Sequence, residues 1–168
     1  MTKEKFLEIK KYMEEHSLLF KVICLVAKVV TTYAFVSYPL LLAALFVMGI
    51  KNGEPVPVVK TLFIPGTAFV LLSFYRMYKN SPRPYEVWET EPLIRKETKG
   101  NSFPSRHVFS ITVIAMAYLE NYRVLGVALL VGAVYLAVFR VITGVHFIKD
   151  VVAGAAIGVL AGLVLFLI

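Results

Sequence analysis

Two histidines and the single aspartate of the chain carry the side chains best suited to covalent chemistry. His146 and Asp150 lie four residues apart, so a helix would place them on one face. The Asp150 carboxylate could then accept a hydrogen bond from one ring nitrogen of His146, fix its tautomer and leave the other nitrogen as a nucleophile. His107 could protonate a leaving oxygen beside that nucleophile. We therefore predict His146, His107 and Asp150 as the catalytic residues.

Arginines accompany these residues at the ends of apolar stretches. Four of the six arginines in the chain occupy such ends: Arg76, Arg83, Arg106 and Arg140. Charged side chains near lipid are costly and usually functional, and a planar guanidinium matches two oxygens of a phosphate group. The start of a helix beside Arg106 would add backbone N–H donors and the positive end of a helix dipole. Two histidines inside a cage of arginines favour phosphoryl transfer through a phosphohistidine.

Each of these residues also has a purely structural interpretation. His107 could be a hydrogen-bonded interfacial histidine, Arg83 a solvated loop charge, and Arg140 a side chain that extends to the lipid headgroups. Asp150 could simply cap the last helix, and Arg76 could mark the end of a membrane span. The structural interpretation requires several independent coincidences on one membrane face, so we favour the functional one.

The composition of the chain identifies its surroundings. Of its 168 residues 58% are hydrophobic and 17% are charged, and the mean hydropathy is +0.74. A soluble domain is nearer half apolar, with about a quarter of its residues charged. This difference excludes a disordered chain, a disulfide scaffold and most soluble enzymes. We predict a multi-pass protein of the cell membrane, with one domain and room for five or six helices of roughly 20 residues.

The charge balance and the cysteine content limit the partners. A net charge of +7 would suggest nucleic acid for a soluble protein, but in a membrane protein it favours anionic headgroups or an anionic substrate. We therefore expect lipid partners and no nucleic acid, and the oligomeric state stays open. Cys24 is the single cysteine and permits no intramolecular disulfide. The loop glutamates lie beside basic residues that would oppose a cation, so no metal and no cofactor are predicted.

Hydrophobic patterning predicts an all-α, polytopic membrane helical bundle with about five to six transmembrane helices. The predicted spans cover residues 29–50, 58–78, 104–119, 124–141 and 146–168. Gly53 with Pro55, and later Gly144, interrupt the apolar stretches. Pro104 suits the first turn of the third span.

The first 28 residues are predicted to form an N-terminal amphipathic or interfacial segment, separate from a membrane-embedded domain at residues 29–168. Phe6, Ile9 and Met13 recur at helical spacing among lysines and glutamates. This helix could lie in the membrane interface or pack on the bundle outside the membrane, and the sequence leaves both interpretations open.

Residues 17–28 are apolar but contain Lys21 and Lys28, which lie seven residues apart on one helical face. A lysine at the bilayer centre costs about 2.5–3.5 kcal/mol, so the first predicted span begins after Lys28. The count of spans rises by one if residues 17–28 also help to cross.

The alternating direction of the spans brings their polar ends together. The second span ends, the third begins, the fourth ends and the fifth begins on one face of the membrane, so the histidines and arginines can converge there. On the last span, Gly154, Gly158 and Gly162 form a stripe of small residues suited to close helix packing.

Three ordered motifs lie between residues 76 and 150: Arg76-x6-Arg83-Pro84, Pro104-Ser105-Arg106-His107 and Phe139-Arg140-x5-His146-x3-Asp150. They resemble the motifs Lys-x6-Arg-Pro, Pro-Ser-Gly-His and Ser-Arg-x5-His-x3-Asp of the type 2 phosphatidic acid phosphatase superfamily. The resemblance implies the helical fold that this family shares with vanadium-dependent haloperoxidases.

The resemblance implies a role for each matching position. His146 would be the nucleophile and Asp150 its orienting partner. His107 would protonate the leaving group and later activate water. The residues expected to bind phosphate oxygens are Arg76, Arg83, Ser105, Arg106 and Arg140.

The chain departs from the family motifs at three positions. Arg76 keeps the positive charge of the family's lysine, whereas Phe139 lacks the hydroxyl of the family's serine. Arg106 replaces a glycine and adds a long cation beside His107. This side chain either helps to bind a second phosphate or points away and pairs with a loop glutamate.

We therefore expect an integral membrane hydrolase that cleaves a phosphate ester or anhydride of a lipid without a metal. By resemblance, the candidate substrates are undecaprenyl diphosphate, phosphatidylglycerophosphate and phosphatidic acid, and the loop at residues 85–101 is expected to help select among them. One alternative is a lipid-linked phosphotransferase with the same site, and another is a non-enzymatic carrier of anionic lipids. The resemblance implies an outward-facing site, whereas the basic residues near it favour the cytoplasmic side, so the sidedness stays open.

Overall fold

Helices account for all the regular secondary structure in the described part of the computed structural model, which comprises residues 1–96 and 98–168. The helices are α1 (Lys3–Glu15), α2 (Ser17–Asn52), α3 (Val56–Lys79), α4 (Pro84–Val87), α5 (Arg106–Asn121), α6 (Arg123–Ile142) and α7 (Ile148–Leu163), and a 3₁₀-helix (Val164–Phe166) ends the chain. The predicted all-α fold is confirmed. The breaks expected at Gly53 and Gly144 are present, and both residues have the left-handed backbone that favours glycine, with φ of 71° and 73°.

Among residues 1–96 and 98–168, four segments are long and apolar enough to cross a membrane: Ser17–Asn52, Val56–Val87, Arg123–Ile142 and Ile148–Phe166. The predicted multi-pass character is confirmed. Helix α5 has only 16 residues, yet it is the most enclosed helix, since every residue from 108 to 118 is buried. It packs against both α6 and α7 and forms the centre of the bundle.

Helix α2 begins at Ser17, so the helix extends well before residue 29, the predicted start of the first membrane span. The helix runs without a break through Pro39 for 36 residues, about 54 Å at 1.5 Å per residue. A hydrocarbon core of roughly 30 Å needs much less. The exposed Lys21 and Lys28 can therefore lie on a helical extension beyond the core. The predicted division between residues 1–28 and 29–168 falls inside this helix, and the membrane boundary itself stays a prediction.

Helix α1 packs on the bundle, which is one of the two interpretations that its sequence left open. The Phe6 side chain is fully buried, and its ring lies 5.3 Å from that of Trp88 between ring centroids. The Trp88 ring in turn lies 5.7 Å from Phe147, next to the candidate nucleophile. A Cβ atom at Gly144 would lie 2.6 Å from the Phe6 ring. Helix α1 thus covers the loop that joins α6 to α7.

The glycine stripe of α7 faces α5 at very short range. A Cβ atom at Gly154 would lie 2.5 Å from the Ser105 carbonyl oxygen, and one at Gly158 would lie 2.8 Å from the Thr112 Cβ. The predicted close packing of this stripe is confirmed. The contact between Gly154 and Ser105 fixes the start of α5 against the first turns of α7, which are the helix ends that carry the predicted catalytic residues.

Replacing Gly154 by alanine is expected to lower the melting temperature of the detergent-solubilised protein by several degrees. The added methyl group would overlap the Ser105 carbonyl, and overpacking of this kind costs about 1–3 kcal/mol. Gly66→Ala in α3 is the matched control, since a Cβ there meets nothing within 4 Å and alanine favours a helix by roughly 1 kcal/mol. Equal destabilisation of the two variants would contradict the close packing of α7 on α5.

Candidate active site

A cavity of about 220 Å³ lies where the end of α3, Lys96 with residues 98–101, the start of α5 and the end of α6 meet. The predicted convergence of polar span ends is therefore present in the structure. The charged and imidazole side chains that line the cavity are Arg76, Arg83, Lys96, Lys99, Arg106, His107, Arg140 and His146. Six of these eight side chains are cations. Within the described part of the chain, no acidic side chain lines the cavity, which makes it a site for an anion.

His146 lies in the loop before α7, and the expectation that a helix carries it on one face with Asp150 is wrong. The helix begins only at Ile148, and Asp150 occupies its third position. The chain turns so that Nδ1 of His146 still lies 3.4 Å from Oδ2 of Asp150. The same oxygen accepts a hydrogen bond of 3.0 Å from the backbone N–H of Phe147. Asp150 therefore caps the last helix and contacts His146 with the same oxygen. The structural and the functional interpretation of Asp150 are compatible.

Ser102 is a third member of this group that sequence reasoning missed. Its hydroxyl donates to Oδ2 of Asp150 at 2.5 Å and lies 3.3 Å from Nδ1 of His146. The side chain is fully buried. No spacing signal identifies it, because Ser102 comes from the long polar loop and reaches the pair only through the tertiary fold.

The imidazole of His146 is held neutral. Only 3% of its surface is exposed, and burial lowers its pKa to about 4; the charges of Arg83 and Arg140 act in the same direction, and Asp150 partly opposes them. With Nδ1 turned to the carboxylate, the other ring nitrogen is the one available to the cavity that His146 lines. A neutral ring with a free lone pair is what nucleophilic attack on phosphorus requires.

Arg83 is anchored by the backbone around the cavity. Its Nε donates to the carbonyl of Gly100 at 3.0 Å, and Nη1 donates to the carbonyl of Val145 at 3.1 Å, next to His146. The Glu86 carboxylate accepts hydrogen bonds from the backbone N–H groups of Arg83 and Gly100. Arg83 is therefore buried and fixed, in contrast to the solvated loop charge that its sequence position also allowed.

Arg76 is also turned inward. Its guanidinium donates to the backbone carbonyls of Pro104 and Asn101, and 8% of the residue is exposed. Asn101 also accepts from Nη2 of Arg83 at 3.5 Å, so one carbonyl serves two arginines. These inward contacts do not fit the interpretation that Arg76 only marks the end of a membrane span and extends to the lipid headgroups.

The two remaining arginines of the predicted cage have unused hydrogen-bonding capacity. Nε of Arg140 is buried and has no hydrogen-bond partner among the described residues. The Arg106 side chain is exposed, and its guanidinium carbon lies 5.7 Å from the centroid of the Phe69 ring on α3. Arg106 lines the cavity, which favours the interpretation that it helps to bind a second phosphate.

Ser105 is the one predicted phosphate ligand that does not line the cavity. The residue is fully buried, and its backbone N–H donates to the backbone carbonyl of Asp150 at 2.8 Å. It is the N-cap of α5, which begins at Arg106, so Pro104 precedes the helix and does not occupy its first turn as expected. Phe139 is buried in the apolar core. The phosphate-binding roles of all these residues stay predictions.

Two lysines of the 79–103 segment join the arginines in the cavity. Burial lowers the pKa of Lys96, and the neighbouring charges of Arg83 and Arg140 lower it further. Lys99 lines the same cavity. The sequence placed both in a loop expected to select the substrate, without indicating which side chains enter the site. Glu97 of this loop lies outside the described residues.

The possibility of a metal site bears on the chemistry. In the part of the chain that the structure describes, no three histidine, cysteine, aspartate or glutamate side chains are grouped to hold an ion. The expectation of metal-independent chemistry stays a prediction, which phosphate release in the presence of excess EDTA can check.

The fold and the cavity define a multi-pass helical membrane protein with an oriented histidine in a cationic site. Residues 57–168 match the family model described as the PAP2 superfamily, PAP2 being the type 2 phosphatidic acid phosphatases. The chain belongs to this superfamily and is an integral membrane phosphatase.

Similar proteins from bacteria agree with this assignment. The chain is 27% identical to undecaprenyl-diphosphatase BcrC of Bacillus subtilis, over 82% of its own length and 70% of that protein. It is 34% identical to the bacitracin transport permease protein BcrC of Bacillus licheniformis, over 49% of its own length and 42% of that protein.

Two solved structures share the fold. The crystal structure of Aquifex aeolicus LpxE matches with a TM-score of 0.70 and 25% identity, over 98% of this chain and 94% of that one. The first transmembrane PAP2-type phosphatidylglycerolphosphate phosphatase from Bacillus subtilis matches with a TM-score of 0.65 and 20% identity, over 98% and 86% of the two chains.

His146 is expected to stay neutral when the pH falls from about 7 to about 5.5, because its pKa of about 4 lies well below the ordinary value near 6.5. The lowered pKa means that the nucleophilic form persists through this range and is lost only as the pH approaches 4. NMR of protein labelled at its three histidines, with His146→Gln to assign the signal, measures this directly. A midpoint near the ordinary value would contradict the enclosed geometry.

Proposed function

We propose that this protein hydrolyses the phosphate or diphosphate of a membrane lipid through a covalent phosphohistidine on His146. The observation that carries the proposal is the buried imidazole on the cavity wall, held 3.4 Å from the Asp150 carboxylate and facing an excess of cations. A carrier of anionic lipids would need the cations but would have no use for an oriented nucleophile.

The reaction has two steps at one phosphorus. In the first, the free ring nitrogen of His146 attacks phosphorus and the bond to the leaving oxygen breaks with its electrons. His107 donates a proton to that oxygen. Burial and the nearby cations lower the pKa of His107, so its imidazole takes up this proton only when the bound phosphate offsets those cations. In the second, His107 takes a proton from water, whose oxygen attacks phosphorus and displaces the imidazole. Arg83 and Arg140 balance the charge on the equatorial oxygens. An alcohol in place of water would give the phosphotransferase alternative.

The surroundings of the cavity support a lipid as the substrate. An apolar groove of about 620 Å³ runs between α6 and α7, and two of its lining residues, Ile142 and Ile148, flank the loop that carries His146. A hydrocarbon tail in this groove would reach the catalytic loop without leaving an apolar surface. The headgroup could then enter the cavity while the tail stays in the bilayer.

The similarity to other proteins supports particular headgroups. One relative is named an undecaprenyl-diphosphatase and a structural neighbour a phosphatidylglycerolphosphate phosphatase. Undecaprenyl diphosphate, phosphatidylglycerophosphate and phosphatidic acid are therefore the first substrates to compare, by phosphate release from the purified protein.

His146→Ala is expected to abolish turnover, because the variant lacks the atom that forms the covalent bond. Asp150→Asn should reduce the rate by a large factor but leave residual activity, since the imidazole loses its orientation and charge stabilisation rather than the nucleophile itself. Phosphate release is measured in detergent with excess EDTA. Acid-labile phosphate on the wild-type enzyme, trapped by rapid denaturation, reports the intermediate.

Two outcomes would contradict this mechanism. Phosphate release by His146→Ala near the wild-type rate would remove the phosphohistidine. Activity that vanishes with EDTA and returns with magnesium would show that a metal, rather than the arginines, neutralises the transferring phosphoryl group. His16→Ala is the matched control, because His16 is exposed at the end of α1 and does not line the cavity.

His107→Ala is expected to impair poor leaving groups most. A lipid alkoxide needs a proton as the bond breaks, whereas an activated aryl phosphate does not. The ratio of kcat/KM for the variant to that for the wild type should therefore rise as the leaving group becomes more acidic. A constant ratio across a series of phosphate monoesters would exclude His107 as the general acid.

A further inference from the structure

The cavity contains more positive charge than the three motif arginines supply. Arg76, Arg83 and Arg140 occupy motif positions of the family, whereas Arg106 replaces a glycine and Lys96 comes from the loop. A single phosphate group carries at most two negative charges near neutral pH. The additional cations therefore call for a second anionic group on the ligand.

Arg106 and Lys96 differ in their hydrogen bonding from two of the motif cations, Arg76 and Arg83. Arg76 and Arg83 donate to backbone carbonyls and hold the cavity wall, whereas Nε of the third motif arginine, Arg140, has no partner among the described residues. Over residues 1–96 and 98–168, neither Arg106 nor Lys96 donates a hydrogen bond or forms an ion pair, although both line the cavity. Their donors are available to a ligand.

Each of the two side chains is held near the cavity by its surroundings. The guanidinium carbon of Arg106 lies 5.7 Å from the centroid of the Phe69 ring, and a cation–π contact of this kind favours that position. Lys96 is half-buried, and the positive charges of Arg83, Arg140 and Arg106 all act on its ammonium group. An anion between Arg106 and Lys96 would relieve this repulsion.

We propose that Arg106 and Lys96 form a second anion subsite, which binds the phosphate nearer the lipid in a lipid diphosphate while His146 attacks the terminal phosphorus. This assignment rests on the proposed function, because it requires His146 as the nucleophile. It makes Arg106 and Lys96 the residues that select a diphosphate over a monophosphate.

The chemistry of the first step then follows from the position of the charges. A bond forms between the His146 nitrogen and the terminal phosphorus, and the bond from that phosphorus to the bridging oxygen breaks. The electron pair stays on the bridging oxygen, so negative charge develops on the departing lipid monophosphate before His107 donates a proton to it. With the second phosphate bound between Arg106 and Lys96, both cations would lie beside this developing charge, which is the arrangement that lowers a barrier by electrostatic stabilisation.

The test compares two substrates with the same tail, farnesyl diphosphate and farnesyl monophosphate, in the detergent-solubilised full chain. The measured quantity is the ratio of kcat/KM for farnesyl diphosphate to kcat/KM for farnesyl monophosphate. Arg106→Gln and Lys96→Gln should each lower this ratio by about tenfold to a hundredfold, the effect of losing a hydrogen bond to a charged group. Arg106→Lys should retain part of the preference. Lys79→Gln is the matched control, since Lys79 is exposed at the end of α3 and does not line the cavity.

The outcomes separate the subsite from the proposed function. A ratio that stays unchanged in Arg106→Gln and Lys96→Gln, whether or not both activities fall, would overturn the subsite while the need for His146 still stands. Turnover by His146→Ala would instead overturn the proposed function. Inorganic pyrophosphate is the third substrate; a clear preference for the farnesyl compound supports a lipid diphosphate, and equal kcat/KM values would show that the subsite serves a free diphosphate.

Discussion

The carboxylate of Asp150 has no exposed surface, and the geometry of the catalytic end depends on how its charge is satisfied. Removing one partner of a buried charge typically costs 3–5 kcal/mol, so the groups around it are not free to move. One oxygen, Oδ2, accepts from Ser102 and from the backbone of Phe147 and contacts His146. The long loop, the α6–α7 turn and the start of α7 are thereby fixed to one atom. The orientation of His146 is a consequence of capping this helix.

Backbone carbonyls perform the corresponding task for the arginines. A guanidinium cannot lose its proton in a protein, so several of them in one cavity repel each other unless other dipoles intervene. The carbonyls of Gly100, Asn101 and Val145 accept from Arg76 or Arg83 and supply those dipoles. Because the contacts exist before a ligand arrives, little reorganisation is needed when charge develops on phosphorus.

Spacing within a segment could be predicted from the sequence, whereas contacts between segments could not. The motif residues His107, His146 and Arg140 were found because each marks the end of an apolar stretch, and lipid makes such placement of polar groups meaningful. Ser102 was missed because no periodicity links the loop to α7. The start of helix α2 at Ser17 could not be predicted, because an insertion cost for lysine limits where the bilayer lies and not where a helix begins. Each error concerns a tertiary contact or a boundary that local patterns do not determine.

Arg106 shows how such a contact alters the electrostatics of the site. As the first residue of α5 it lies at the positive end of a helix dipole, where a cation is disfavoured by about 0.3–1 kcal/mol. It also shares the cavity with three other arginines. The Phe69 ring offsets part of this cost, and no carboxylate within the described residues pairs with Arg106 to offset the remainder. A bound polyanion would balance the charge that the protein leaves uncompensated. This imbalance is what the proposed second anion subsite would correct, with Arg106 complementary to the substrate rather than to the folded chain.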